Sequence, residues 1–105
     1  MTEECRIKGI DNLQDLKVAL DIRFEVFVHE QKVPWEEELD HYDEQPACFE
    51  QARHVLAFYG EQPAATARIV PDNRTRGCVK IGRVAVKKEF RGHGIGREMM
   101  KWCHN

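Results

Sequence analysis

The sequence changes character most sharply between Arg83 and Met100. The apolar run Val84-Ala85-Val86 reads as a strand, and the charged segment Lys87-Lys88-Glu89-Phe90-Arg91 interrupts it. Gly92, Gly94 and Gly96 then alternate with His93 and Ile95, and a helix-like run follows. Few local structures satisfy this order. Glycine lets backbone come close to a ligand. The first N–H groups of a helix have no intrahelical partner, and the helix dipole places partial positive charge there. Arg91 and Arg97 add charge on both sides. The local physics predicts a pyrophosphate cradle.

Two other glycine loops are excluded. A Walker A loop ends in Gly-Lys-Ser/Thr, whereas this one reads Gly96-Arg97-Glu98. A dinucleotide fingerprint needs Gly-x-Gly-x-x-Gly followed by an acidic residue about 20 positions on, and the glycine period here differs.

Composition bounds the rest. A chain of 105 residues is one domain and buries roughly 65% of its unfolded surface. Eighteen acidic and 16 basic residues give a net charge of −2, which argues against a nucleic-acid partner. No apolar run reaches the length of a membrane span, and Met1-Thr2-Glu3-Glu4 has no signal-peptide pattern. Cys5, Cys48, Cys78 and Cys103 form no Cys-x-x-Cys pair, so reduced thiols and a cytoplasmic location are expected, with no metal. His29, His41, His54 and His104 have no ligand spacing either.

The pattern predicts the order strand, two helices, three strands, helix. Cys5 to Ile10 forms the first strand. Asp11 caps a helix carrying Leu13, Leu16, Leu20, Phe24 and Phe27 at helical spacing, with Ile22 and Val26 widening its apolar face. It ends near His29 to Lys32, before Val33-Pro34. A short helix spans Pro34 to Leu39, and Asp40 to Gln51 reads as a loop. His54 to Tyr59 and Ala64 to Val70 form a hairpin around Gly60-Glu61-Gln62-Pro63. A polar loop covers Pro71 to Gly77, Cys78 to Val86 completes the meander, and the last helix starts near Gly94.

Arg91-x-x-Gly94-x-Gly96 resembles the Gln/Arg-x-x-Gly-x-Gly/Ala signature of the Gcn5-related N-acetyltransferases (GNAT), and Gly82-Arg83-Val84-Ala85-Val86 resembles the strand that precedes it. The resemblance runs from about Ile7 to the chain end. It implies an α/β (α+β) fold, β-α-α-β-β-β-α with a largely antiparallel sheet, and one N-acetyltransferase domain over residues 1–105. The family continues with another strand, a helix and usually two more strands. The chain is therefore expected to be an incomplete domain, a shortened form, or one completed by a homo-oligomer or strand exchange.

The resemblance further implies acyl transfer from acetyl-CoA or another acyl-CoA to a primary amine of a small molecule or peptide. By position, the backbone of Val84, Ala85 and Val86 would pair with the pantetheine arm. The N–H groups of Gly92, His93, Gly94, Ile95, Gly96 and Arg97 would hold the pyrophosphate, with Arg91 adding a charged contact. The tyrosine that acts as general acid in many members has no counterpart, since Tyr42 and Tyr59 lie elsewhere.

On the acceptor side, Glu30, Glu38 and Asp40 are the candidate catalytic carboxylates, with Glu37, His41 and Asp43 nearby. The segment Arg23 to Pro34 with Glu36, Glu38, Asp40 and Asp43 resembles a bacterial-type subgroup of small acetyltransferases. Arg23, Phe27, Trp35, Glu38, Asp40, Asp43 and Arg68 more faintly resemble acyl-homoserine-lactone synthases, whose glycine loop differs. The plain alternatives are a solvated face for Glu36-Glu37-Glu38, an Arg23–Asp40 ion pair, and packing for Trp35. A CoA-binding module without turnover, and a fragment of a longer acetyltransferase, are the alternative functions.

Overall fold

In the computed structural model, which describes residues 4–72, 74 and 76–104, four strands form one antiparallel sheet in the order β1-β2-β3-β4. Residues 1–3 and 105 lie outside the described residues, as do Asn73 and Thr75 of the expected polar loop. The strands are β1 (Cys5–Gly9), β2 (Arg53–Tyr59), β3 (Gln62–Pro71) and β4 (Val79–Val86). The helices are α1 (Leu13–Arg23), α2 (Trp35–Glu38), α3 (Ala47–Glu50) and α4 (Ile95–Cys103).

Alternation along the strands feeds two cores, one on each face of the sheet. Leu56 and Ala85 pack with Leu16, Ala19, Ile22 and Val26 of the first helix. Val55, Ala57, Ala65 and Ala67 pack with Ile95 and Met99 of α4 on the other face. Small residues dominate the α4 side of β2 and β3, so that helix can lie close to the sheet.

The first helix differs from its expected form in three ways. Its cap is Asn12, whose side chain accepts from Asp15 N at 2.8 Å, and not Asp11. Its buried stripe runs through Leu16, Ala19, Ile22, Arg23 and Val26, while Leu13 and Phe24 are exposed. The stripe is turned because a charged residue, Arg23, is on it. Beyond Arg23 the helix widens into a π-helical segment, Phe24–Glu30, closed by Gln31 N–H donating to Val26 O at 3.2 Å. Exposed Phe24 packs edge-on against Trp35 at 5.4 Å between ring centroids.

The segment Asp40 to Gln51, expected as loop, contains a 3₁₀ turn at His41–Asp43 and the short helix α3. The turn is a capping box: Asp40 accepts from Tyr42 N, and Asp43 accepts from Asp40 N. In β4 the pairing slips. Thr66 faces Ala85 and Arg68 faces Gly82, so Arg83 and Val84 together oppose Ala67. This is a β-bulge, and Arg83 takes a left-handed φ of 49° there.

Candidate functional site

The glycine loop joins the open edge of the sheet to α4. Gly92 and Gly94 have φ of 88° and 78°, a region that L side chains rarely adopt. A Cβ at either position would stand in open space with no atom within 4 Å. At Gly96 an added Cβ would lie 3.6 Å from Val86 Cγ2, which is where α4 leans on the strand. Gly94 caps α4 without a side-chain hydrogen bond. The first intrahelical bond is Glu98 N–H to Gly94 O at 3.1 Å, so the N–H groups of Ile95, Gly96 and Arg97 have no carbonyl within the helix. The His93 ring packs on Tyr59, with centroids 4.6 Å apart and the planes tilted by 36°.

Beside this loop, β4 is an edge strand. Lys87 N–H donates inward to Ala64 O at 2.9 Å. The neighbouring residue, Val86, therefore turns its polar groups to the open edge. Arg91 Nε donates to Val86 O there at 2.9 Å. The remaining Arg91 nitrogens bind both carboxylate oxygens of Glu30, at 3.0 and 2.8 Å. Glu30 is thus tied to the loop, away from the other two candidate carboxylates. An open row of backbone groups, free helix N–H groups and unfilled space above two left-handed glycines fit a ligand with amides at one end and a pyrophosphate at the other.

Glu38 and Asp40 lie in a second group, on the α1 side of β3 and β4. Arg23 Nε donates to Glu38 Oε2 at 2.8 Å, and its two terminal nitrogens bind Asp43 at 2.6 and 3.0 Å. Arg68 binds Asp40 through two bonds of 2.6 and 2.8 Å. Arg83 reaches in from the bulge, 3.2 Å from Glu38 Oε2 and 3.6 Å from Asp40 Oδ2. Three arginines therefore face three carboxylates. The expected Arg23–Asp40 pair is not formed: Arg23 takes Glu38 and Asp43, and Asp40 takes Arg68. The capping box fixes this choice, because it places Asp43 inside and Asp40 nearer the surface.

These partners set the charge states. Burial pushes the Asp43 carboxyl up, but the hydrogen bonds and charge of Arg23 outweigh it and hold the group below its ordinary range. Asp40 is lowered in the same way, burial being overcome by Arg68. A lowered pKa makes a carboxylate a weaker proton acceptor. Arg68 Nε is buried without a hydrogen-bond partner. His54, which borders the group, is pushed down by burial and bonds Tyr42 O through Nε2 at 2.9 Å. Only a protonated nitrogen can donate to a carbonyl, so its proton sits on Nε2.

Sequence reasoning missed Arg83 as a member of this group and Arg91 as a partner of Glu30. A bulge and a bidentate pair across 61 positions leave no periodic trace. Among the described residues, no three His, Cys, Asp or Glu side chains are grouped to hold a metal ion, and no helix is long and apolar enough to cross a membrane.

Known proteins share the family and fold of the chain. The acetyltransferase (GNAT) family profile matches residues 18–104. YjcF of Bacillus subtilis, an uncharacterized N-acetyltransferase, is 36% identical over 90 residues, covering 86% of this chain and 58% of YjcF. ElaA of Escherichia coli is 32% identical over 89 residues, covering 85% of this chain and 55% of ElaA. The ElaA crystal structure matches with a TM-score of 0.78 over 96% of this chain and 68% of that one. An acyl-CoA N-acyltransferase from Pseudomonas aeruginosa matches at 31% identity and a TM-score of 0.74, over 98% of this chain and 67% of that one. The chain spans somewhat more than half the length of the curated relatives it matches, and its fold is the N-terminal part of theirs.

Proposed function

The chain belongs to the acetyltransferase (GNAT) family, and from that premise we propose that it binds an acyl-CoA, acetyl-CoA in the first instance, for transfer to a primary amine of a small molecule or peptide. The observation that carries this reading is the glycine loop at the N-terminus of α4 beside the open edge of β4. The backbone N–H groups of Gly92, His93, Gly94, Ile95, Gly96 and Arg97 hold the pyrophosphate. The open edge of β4 along Val84, Ala85 and Val86 receives the pantetheine arm as an added strand; Val86 N–H is the outward donor there, since Val86 O is held by Arg91 and Ala85 faces Thr66 of β3. Bound this way, the cofactor supplies an acyl thioester, whose carbonyl carbon is the electrophile.

An arm running along β4 from the loop would bring the acyl group toward the bulge, where Arg83, Glu38 and Asp40 are grouped. The acceptor amine must be neutral to attack. For an amine of pKa about 10.4, losing the proton at pH 7 costs roughly 4.6 kcal/mol, and for one near 8 about 1.4 kcal/mol. Asp40 is the more exposed carboxylate of the group, and Arg68 keeps it ionised. It holds and orients an ammonium better than it takes a proton from one. Glu38 is enclosed by Arg23 and Arg83, and Glu30 by Arg91. The proton therefore leaves to solvent, and acceptors of low pKa are favoured.

The pairing of all three candidate carboxylates with arginine favours one second reading, a CoA-binding module without turnover. Thiol release from acetyl-CoA, followed over a panel of amines, separates the two. Release that depends on the amine supports transfer. Saturable acetyl-CoA binding with no release across the panel supports the module.

A further inference from the structure

Arg91 starts the glycine loop, yet its guanidinium is committed to protein partners at the edge of β4. All three of its nitrogens are engaged: Nε with Val86 O at 2.9 Å, Nη1 and Nη2 with the two oxygens of Glu30 at 3.0 and 2.8 Å. We propose that Glu30 is a positioning residue for the cofactor site: with Arg91 it forms a brace that fixes the glycine loop to the edge of β4, and Arg91 is not itself a phosphate ligand. The inference rests on the reading of this loop as an acyl-CoA cradle.

Three observations carry it. First, the brace ties together the elements that must agree in position. Glu30 ends the π-helical segment that continues from α1, Val86 ends β4, and Arg91 starts the loop. Second, the middle of the loop is held only by its ends, with His93 packed on Tyr59 and Ile95 buried in the core. Gly92 and Gly94 are left-handed glycines with open space above them, so neither carries a side chain that could pack. A loop that binds an anion through backbone N–H groups needs those groups aimed in advance, and an outside tether supplies this. Third, a two-oxygen contact from a carboxylate neutralises Arg91 and uses the fork geometry that makes arginine–carboxylate pairs directional. A residue meant to meet pyrophosphate would be served badly by a carboxylate already in that place.

The brace and the phosphate-ligand readings predict opposite signs. Glu30→Gln removes the carboxylate and most of the grip on Arg91. If Arg91 braces the loop, E30Q weakens CoA binding by about 2- to 5-fold. Arg91→Lys keeps the charge but cannot span Val86 O and both Glu30 oxygens, so R91K weakens binding to a similar degree. The E30Q/R91K double variant is then little worse than either single variant, because both remove one device. Pantetheine, which lacks the pyrophosphate, is affected less than CoA. A merely structural role would instead lower both affinities together with the melting temperature. If E30Q binds CoA as tightly as the unaltered chain or more tightly, the proposal is overturned whatever R91K does.

Amide hydrogen exchange of Gly92 to Arg97 in the free protein tests the brace without any ligand. Faster exchange of these amides in E30Q and R91K, with the α4 interior unchanged, supports the brace. Unchanged exchange contradicts it. CoA binding by the unaltered chain reports separately on the cradle, so failure of that reading and failure of the brace are distinguishable.

Discussion

Arg23 and Asp43 meet through two hydrogen bonds of 2.6 and 3.0 Å, with both side chains 1% exposed. The pair joins the end of α1 to the turn before α3 beneath the sheet. Removing one partner leaves the other as a buried charge with reduced compensation, which costs about 3–5 kcal/mol. Asp43→Asn is therefore expected to lower the unfolding free energy by that order in urea titrations. Replacing Arg23 by Met is expected to cost at least as much, since it strands Glu38 as well as Asp43.

The same group makes the fold acid-sensitive. Asp40 and Asp43 have folded pKa values below their unfolded ones, so their stabilisation is present above pH about 4 and is lost as pH falls through the folded values. His54 is also lowered, by burial, so the unfolded chain takes up its proton first. Stability therefore starts to fall below pH about 6.5, with a slope of up to about 1.4 kcal/mol per pH unit from this one group. Urea titrations between pH 3 and 8 check this. His54→Gln is expected to flatten the profile above pH 5 while leaving the steeper loss near pH 4.

Much of this architecture is legible in the residues. The meander, the strand ending at Val86 and the helix beginning after Gly94 follow from alternation, turn residues and glycine placement. The first helix was harder. Its apolar positions suggest a face through Leu13, Leu16, Leu20, Phe24 and Phe27, but Leu13 is 52% and Phe24 45% exposed. The buried stripe instead includes Arg23, because three-dimensional partners 15 and 20 positions away neutralise it. Periodicity registers apolar residues and is blind to a charge that is paired in the core. The π-helical widening before Glu30 leaves no signature either. The acidic residues of the acceptor side were visible as a set, but which arginine each one meets depends on a capping box and a β-bulge. Both are local backbone choices that the residue types permit without requiring.

Acyl transfer without a strong base has a kinetic consequence. If the proton leaves to solvent, the rate follows the fraction of neutral amine. For an acceptor of pKa near 8 the pH–rate profile is expected to rise and level off near that value. For one near 10.4 it is expected to be still rising at pH 9. Stopped-time assays with two such amines, under saturating acetyl-CoA, check this. A common plateau near neutral pH for both would point to an enzyme base instead. Asp40→Asn is expected to raise KM for the amine more than it lowers kcat, as fits a residue that holds an ammonium.

The central claim is that the loop over Gly92 to Arg97 receives the pyrophosphate of CoA. Calorimetric titration of acetyl-CoA into the unaltered chain and into Gly94→Asp tests it most directly. A Cβ at Gly94 would enter the open space above the loop, and its carboxylate would oppose an anion there. The account predicts saturable binding by the unaltered chain and an affinity at least about 10-fold weaker in a folded G94D, the equivalent of roughly 1.4 kcal/mol. Equal affinity in the two proteins, or no binding by a folded unaltered chain, would contradict it.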